Sequence, residues 1–253
     1  MCRLFGAIGS GPVAYDLFEE FADLAVTGNT PTGGPDERGH RDGWGLAFFH
    51  NGKLEQHARG PGSAQGDPKY AQAAWRIARV NAERTAGEWL AVVGHIRRAS
   101  EGMPAGTEYA HPFVRSEAGR TWAFAHNGGI DGFPFRRDEG LIDSQALFRE
   151  LLANLAGDGA EAVAAATKAA VDWARREHGG YSAVNFVLSD GERLHAFREY
   201  TEKPEYYTLC CDDFGDQVLV CSQPILGMRE EPVVKGYLVS IGRDLKTTRL
   251  RVL

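Results

Sequence analysis

Hydrophobic and polar positions along this chain repeat with two different periods, and each change of period marks a predicted element. Cys2 to Ile8 is a nearly unbroken apolar run closed by Gly9-Ser10-Gly11-Pro12, which reads as a short buried strand. Val13, Leu17, Phe18, Phe21, Leu24 and Ala25 then recur at helical spacing with Asp16, Glu19, Glu20 and Asp23 between them, so a helix follows with one face in the core. Thr27 to Asp42 contains Gly28, Pro31, Gly33, Gly34 and Pro35, too punctuated for a regular element. It reads as a long loop, a kind of segment that often carries function.

Asn51-Gly52 is a strong hairpin signal and predicts two antiparallel strands, Trp44 to His50 and Lys53 to Arg59. Asp67 to Ala82 has a helical pattern, with Asp67 placed to cap it and Pro68 at its first turn. Trp89 to Ile96 is continuously apolar, as an interior strand would be, and runs into Arg97-Arg98. Thr121 to Ala125 predicts a short strand ending in a turn at His126-Asn127-Gly128-Gly129. Helices are expected over Asp143 to Leu155 and Gly159 to His178, the latter stopped by Gly179-Gly180. A second hairpin, Tyr181 to Leu188 with Arg193 to Tyr200, turns at Ser189-Asp190-Gly191-Glu192, and further strands are expected at Tyr206 to Leu209, Gln217 to Cys221 and Tyr237 to Ile241. Hairpins without βαβ alternation imply antiparallel sheets. The helices fall in pairs between them, so the expected class is a layered α+β fold, with residues 2–253 as a single domain.

Composition narrows the function. At 253 residues, 43% hydrophobic and 25% charged, the chain is long enough to build a substantial core and is unlike a disordered or fibrous protein. A formal net charge of -6 without a basic block argues against a nucleic-acid surface. Its longest apolar windows, such as Trp89 to Val93 and Val218 to Cys221, are far short of the roughly 18 residues of a membrane span. No secretory signal is visible at the N-terminus, so the expected compartment is the cytoplasm. Of the 4 cysteines, Cys210, Cys211 and Cys221 read as small buried hydrophobes, the adjacent pair facing opposite ways if it lies in a strand.

Cys2 reads differently. Removal of Met1 leaves a thiol and a free α-amine on one residue, and an amine of pKa roughly 8 can serve as base for its own side chain. The apolar Arg3-Leu4-Phe5-Gly6 that follows would fix a terminus that ordinarily frays. A thiol that attacks amides also needs preorganised donors for the oxyanion. His126-Asn127-Gly128 offers an Asn amide and a glycine N–H.

Together with Asp42-Gly43-Trp44-Gly45-Leu46, Gly94-His95-Ile96-Arg97-Arg98-Ala99-Ser100 and Asp143-Ser144-Gln145, the segments Met1 to Gly6 and Ala125 to Gly128 resemble, in order and spacing, the class II glutamine amidotransferases. The stand-alone branch of that family is the nearest in pattern, and Ser222-Gln223-Pro224-Ile225 resembles its C-terminal half. The resemblance implies a four-layer αββα sandwich of the N-terminal-nucleophile hydrolase type. It implies Cys2 as nucleophile, its amine as base, and Asn127 and Gly128 as the oxyanion hole. Arg97 matches the residue that grips the glutamine α-carboxylate, Asp143 the one that receives the α-ammonium while also serving as a helix N-cap, and Ser100 a family Thr near the carboxylate. Where many members read Trp-Ala-Thr-His, this chain has Arg98-Ala99-Ser100-Glu101, a change beside the pocket that bears on which γ-glutamyl substrate is accepted.

The expected activity is hydrolysis of the side-chain amide of glutamine or a γ-glutamyl amide through a γ-glutamyl thioester on Cys2. The expected ligand is a small molecule, with no cofactor and no metal, because His95, His111 and His126 lack ligand spacing. A separate ammonia-accepting enzyme is one implied partner, and an oligomer is compatible with the pattern. Two alternatives stand beside this reading: the related γ-glutamyl hydrolase of ergothioneine biosynthesis, and a catalytically silent subunit that binds a partner.

Overall fold

The computed structural model describes residues 2–31, 38–100, 102–104, 106–135 and 141–253. Alternation within the strands builds the layers. On β1 (Arg3–Gly9), Phe5 and Ala7 point to one face and Leu4 and Ile8 to the other. The first face packs under α1 (Tyr15–Thr27) and α2 (Pro68–Glu83), where Phe18, Phe21, Ala74 and Ile77 meet Phe5, Phe48 and Val92. The second forms a dry seam in which Leu4, Ile8, Phe49 and Val93 meet Ala123, Ala125, Val187 and Ala196 of the other sheet. Beyond that sheet, α3 (Asp143–Ala153) and α4 (Ala160–His178) bury Leu147, Phe148, Val163 and Val171 against Phe124, Phe186 and Phe197. The result is helix, sheet, sheet, helix, the expected αββα sandwich.

Both sheets have six strands, and all the pairings are antiparallel. The first comprises β1, β2 (Trp44–His50), β3 (Lys53–Gly60), β4 (Leu90–Ile96), β9 (Cys210–Asp213) and β10 (Gln217–Cys221), in the order β3-β2-β4-β1-β10-β9. The second comprises β5 (Phe113–Glu117), β6 (Arg120–Ile130), β7 (Tyr181–Ser189), β8 (Arg193–Arg198), β11 (Tyr237–Gly242) and β12 (Thr247–Arg251), in the order β12-β11-β8-β7-β6-β5. The N-terminal strand is therefore central, flanked by β4 and β10.

Several local expectations need correction. The strand expected to end at Ala125 continues as β6 to Ile130, carrying His126-Asn127-Gly128-Gly129 as paired backbone opposite β7, with the register shifting only at Gly129/Ile130. Glycines that look like a turn in sequence here let a strand pass close to its neighbour. Tyr206 to Leu209 is not a strand: Tyr206 and Tyr207 close a turn by donating their N–H groups to the Lys203 carbonyl, and pairing starts at Cys210. The edge strands β5 and β12 escaped prediction because their polar, exposed sequences lack an apolar face. Asp67 does cap α2, accepting the Lys69 N–H at 2.8 Å. Cys210 and Cys211 do face opposite ways, Cys210 into the α1/α2 core and Cys211, only half-buried, toward the seam between the sheets. Of the long loop, residues 32–37 lie outside the described residues, as does Glu101.

Candidate active site

Cys2 leads directly into β1, whose terminus is held from several sides. Leu4 donates its N–H to Ser222 Oγ at 2.8 Å, and Ser222 returns its own N–H to the Leu4 carbonyl at 3.0 Å. Arg3 is buried on the opposite face, donates to the Asn29 carbonyl and lies 4.7 Å over the Tyr206 ring. Burial pushes its guanidinium pKa below the usual range. Since β1 pairs Arg3 with Ile96, continuing the register by one residue sets Cys2 opposite Arg97.

Cys2 itself is buried, with its thiol donating to the Arg98 carbonyl at 3.8 Å. Its main-chain nitrogen donates to Asn127 Oδ1 at 2.8 Å, across the gap between the sheets. With Oδ1 so engaged, the Asn127 amide nitrogen is buried and has no hydrogen-bond partner among the described residues. A buried amide donor without an acceptor is costly unless something outside the chain completes it. Next to it Gly128 has φ 156°, and a Cβ there would fall 1.8 Å from the Ala183 carbonyl oxygen. Only glycine fits, and the strand thereby stays close to β7.

Arg97 follows β4 and is 4% exposed. The Asp42-Gly43-Trp44-Gly45 motif holds its backbone: Gly43 accepts the Arg97 N–H at 2.8 Å, the Arg97 carbonyl accepts the Asp42 N–H at 2.9 Å, and Asp42 Oδ2 takes the Ala99 N–H at 2.9 Å. A Cβ on Gly45 would lie 2.1 Å from the His111 carbonyl, so β2 can pass there only as glycine. Trp44 anchors the motif by donating Nε1–H to Asp67 Oδ2 at 2.7 Å. Arg97 Nη1 reaches the Asp42 carbonyl at 3.5 Å, and among the described residues no carboxylate pairs with this guanidinium. A buried cation lacking a counter-charge points to an anionic ligand.

Asp143 is the first residue of α3 rather than its N-cap. Ile142 occupies the cap position, and Gln145 reaches back to accept its N–H at 3.0 Å. The Asp143 carboxylate instead ties the helix to β6, taking the Ile130 N–H on Oδ2 at 3.1 Å and the Ser144 N–H on Oδ1 at 2.7 Å. Ser100, in contrast, is exposed in the turn beyond Arg97, where its carbonyl accepts the Met103 N–H at 3.0 Å. The structure thus brings Cys2, Asn127, Gly128, Arg97 and Asp143 to one end of the sandwich and leaves Ser100 at its surface.

Histidines surround this end. His95 and His111 lie against each other with ring centroids 4.1 Å apart and planes tilted by 48°, and burial drives both imidazole pKa values well below the ordinary range, with Arg97 adding to the effect. His126 lies on the helix side of β6; burial lowers it to about 4 against the opposing pull of Asp143. These imidazoles are neutral near pH 7. Asp42, Ser144 and Ser222 were present in recognised sequence segments but had no assigned role. Nothing in a pattern of residue types shows that a carboxylate will brace a neighbouring strand end.

A sandwich of two antiparallel sheets, with the Cys2 thiol at one end facing a paired Asn-Gly, is the layout that the family resemblance implies. The model of the family "Glutamine amidotransferases class-II" matches residues 1–214. The chain belongs to that family. A putative glutamine amidotransferase, YafJ, of Escherichia coli (strain K12) is 32% identical over 160 residues, covering 61% of this chain and 55% of that protein. The chain spans about half the length of the curated relatives it matches. Among solved structures, the glutamine phosphoribosylpyrophosphate amidotransferase from B. subtilis, complexed with ADP and GMP, superposes with TM-score 0.65 at 16% identity, covering 100% of this chain and 49% of that one. A glutamine aminotransferase class-II domain protein from Silicibacter pomeroyi superposes with TM-score 0.59 at 18% identity and covers 98% of both chains. At these identities the structures speak to the fold.

Proposed function

We propose that this protein hydrolyses the side-chain amide of glutamine or of a γ-glutamyl amide, with Cys2 as nucleophile. The observation that carries this reading is the bond from the Cys2 nitrogen to Asn127 Oδ1, which leaves the Asn127 amide nitrogen buried beside Gly128 and without a partner among the described residues. In the chain lacking Met1, the Cys2 amine takes the thiol proton as sulfur attacks the amide carbon. The Asn127 amide and the Gly128 N–H receive the charge that develops on the carbonyl oxygen. The C–N bond breaks, the amine returns its proton to the leaving ammonia or amine, and a γ-glutamyl thioester remains. Water, deprotonated by the same amine, attacks the thioester and releases glutamate and the free thiol.

Arg97 supplies a fork of donors for the substrate α-carboxylate and Asp143 a carboxylate for its α-ammonium. Ser100, being exposed, acts at most through the solvent-facing side of the carboxylate pocket. The ammonia is released to solvent or to a separate acceptor enzyme.

Turnover is measured as glutamate formation from glutamine and a panel of γ-glutamyl conjugates, including one with a sulfur-containing histidine betaine, using chain whose N-terminus has been sequenced as Cys2. Activity on at least one substrate, lost on Cys2→Ala with an unchanged melting temperature, is the expected outcome. An N-terminally processed protein inactive on all of them would instead support a silent, partner-binding subunit.

A further inference from the structure

The carboxylate assigned to the substrate α-ammonium is connected to a buried imidazole that the hydrolysis itself does not use. His126 Nδ1 lies 2.9 Å from Ser144 Oγ, which is 3.3 Å from Asp143 Oδ1. The other ring nitrogen, Nε2, lies 3.3 Å from the Ala183 carbonyl oxygen, which can only accept. Nε2 therefore carries the proton of the neutral ring and leaves Nδ1 bare as an acceptor. Ser144 has one hydroxyl proton and two acceptors within reach. The shorter contact goes to Nδ1, so the hydroxyl points away from Asp143.

This orientation has a consequence for the carboxylate. Oδ1 keeps the Ser144 N–H and Oδ2 the Ile130 N–H, which fix the group in place. The hydroxyl proton does not occupy a further lone pair, so negative charge stays available on the side that faces an incoming cation. Ser144 is 5% exposed and His126 1%, so bulk water cannot substitute for either. Asp143, His95 and His111 are the titratable side chains whose charges act on this ring, along with the chain N-terminus. The same strand presents Asn127 toward Cys2 and His126 toward α3, tying the oxyanion donor and the head-group carboxylate to one rigid element.

We infer that Ser144 and His126 are positioning residues that set recognition of the α-ammonium by holding the Ser144 hydroxyl off the Asp143 carboxylate. This rests on the reading of Asp143 given above. The hydroxyl acts as a two-position element: directed to the imidazole it leaves Asp143 free for substrate, and directed to Asp143 it competes with substrate. Removing the imidazole acceptor, as in His126→Phe, turns the hydroxyl onto Asp143, and removing the hydroxyl as well, in His126→Phe/Ser144→Ala, relieves that competition.

The test separates head-group recognition from the reaction. Dissociation constants of L-glutamate, and of glutarate, which lacks only the α-amine, are measured by calorimetry on wild type, His126→Phe and His126→Phe/Ser144→Ala, together with kcat and KM for glutamine. Expected is a loss of about tenfold in L-glutamate affinity for His126→Phe, no change for glutarate, recovery in the double variant, and an effect on KM rather than kcat. Equal weakening of both ligands, of neither, or no recovery in the double variant overturns the inference, because a merely structural role for His126 does not distinguish the ligands and is not relieved by removing the hydroxyl. A wild type that prefers L-glutamate to glutarate yet hydrolyses no amide would leave the inference standing and overturn the hydrolytic reading. A wild type that binds neither ligand overturns both.

Discussion

The Cys2 nitrogen and Asn127 Oδ1 meet at 2.8 Å, joining the first strand of one sheet to a central strand of the other. In the proposed reaction one side chain then has two tasks at once: its oxygen orients the amine that would act as base, and its nitrogen is left to face the reacting carbonyl. In that reading a single rotamer places both base and oxyanion donor.

Asn127→Ala removes both ends of that arrangement. The expected change is a fall in kcat of about 10² to 10³, the cost of losing one oxyanion donor, with a much smaller change in KM. Steady-state kinetics with glutamine check it. An unchanged kcat would place Asn127 outside the reaction.

Arg97 is buried with no carboxylate partner among the described residues, and its planar fork suits an α-carboxylate better than a point charge does. Arg97→Lys and Asp143→Asn should each depress kcat/KM for glutamine. On the wild type, N-acetylglutamine and glutamine α-amide should both be poor substrates. Equal kcat/KM for glutamine and the two capped analogues would show that the enzyme reads the leaving group instead.

Ser222 holds the start of β1 through a reciprocal pair of bonds with Leu4, and only the one to its side chain is lost in Ser222→Ala. The buried Leu4 N–H is then left unsatisfied, at a cost of about 1–3 kcal/mol. Denaturant unfolding measures this as a lower midpoint with an unchanged slope. Activity should fall further than stability alone accounts for, since the released strand carries the nucleophile.

Five buried histidines predict acid sensitivity. Burial lowers His40 to about 2, His195 to about 3 and His126 to about 4, and lowers His95 and His111 as well. In the unfolded chain each titrates near 6.5. Below that pH the unfolded state binds protons that the folded state refuses, so stability is full above about 6.5 and is lost as pH falls from there toward the folded-state values, by about 1.4 kcal/mol per pH unit for each histidine. Urea midpoints should therefore drop steeply between roughly pH 6.5 and 5, and a flat profile over that window would contradict the neutral burial of these rings.

Layering was legible in the sequence because its cause is local: the unbroken apolar runs of β1 and β4 mark interior strands, and helical spacing on α1 and α4 names a buried face. The edge strands β5 and β12 were not, since an exposed polar strand carries no such mark and is defined by the neighbour that pairs with it. The same distinction separates the site residues. Cys2, Arg97, Asn127, Gly128 and Asp143 were singled out through motifs that keep residue types together, whereas the contacts of Asp42, Ser144 and Ser222 depend on which atoms meet across 57, 18 and 218 positions of chain. Asp143 shows the limit from the other side, for a carboxylate at a helix start looks like a cap until the long-range Ile130 N–H claims it.

The central place of β1 has a bearing on biosynthesis. Its partners are β4 and β10, so the strand that carries Cys2 cannot complete its pairing until residues 217–221 have been made. During that interval Cys2 is carried on an unpaired segment, open to a processing peptidase. Once β10 docks and the Cys2 nitrogen engages Asn127, Cys2 is buried at 7% exposure. Processing that frees the Cys2 amine for the proposed reaction is therefore expected on the nascent chain, and a tag fused ahead of Cys2 that persists through folding would lock the amine out of reach for the lifetime of the molecule.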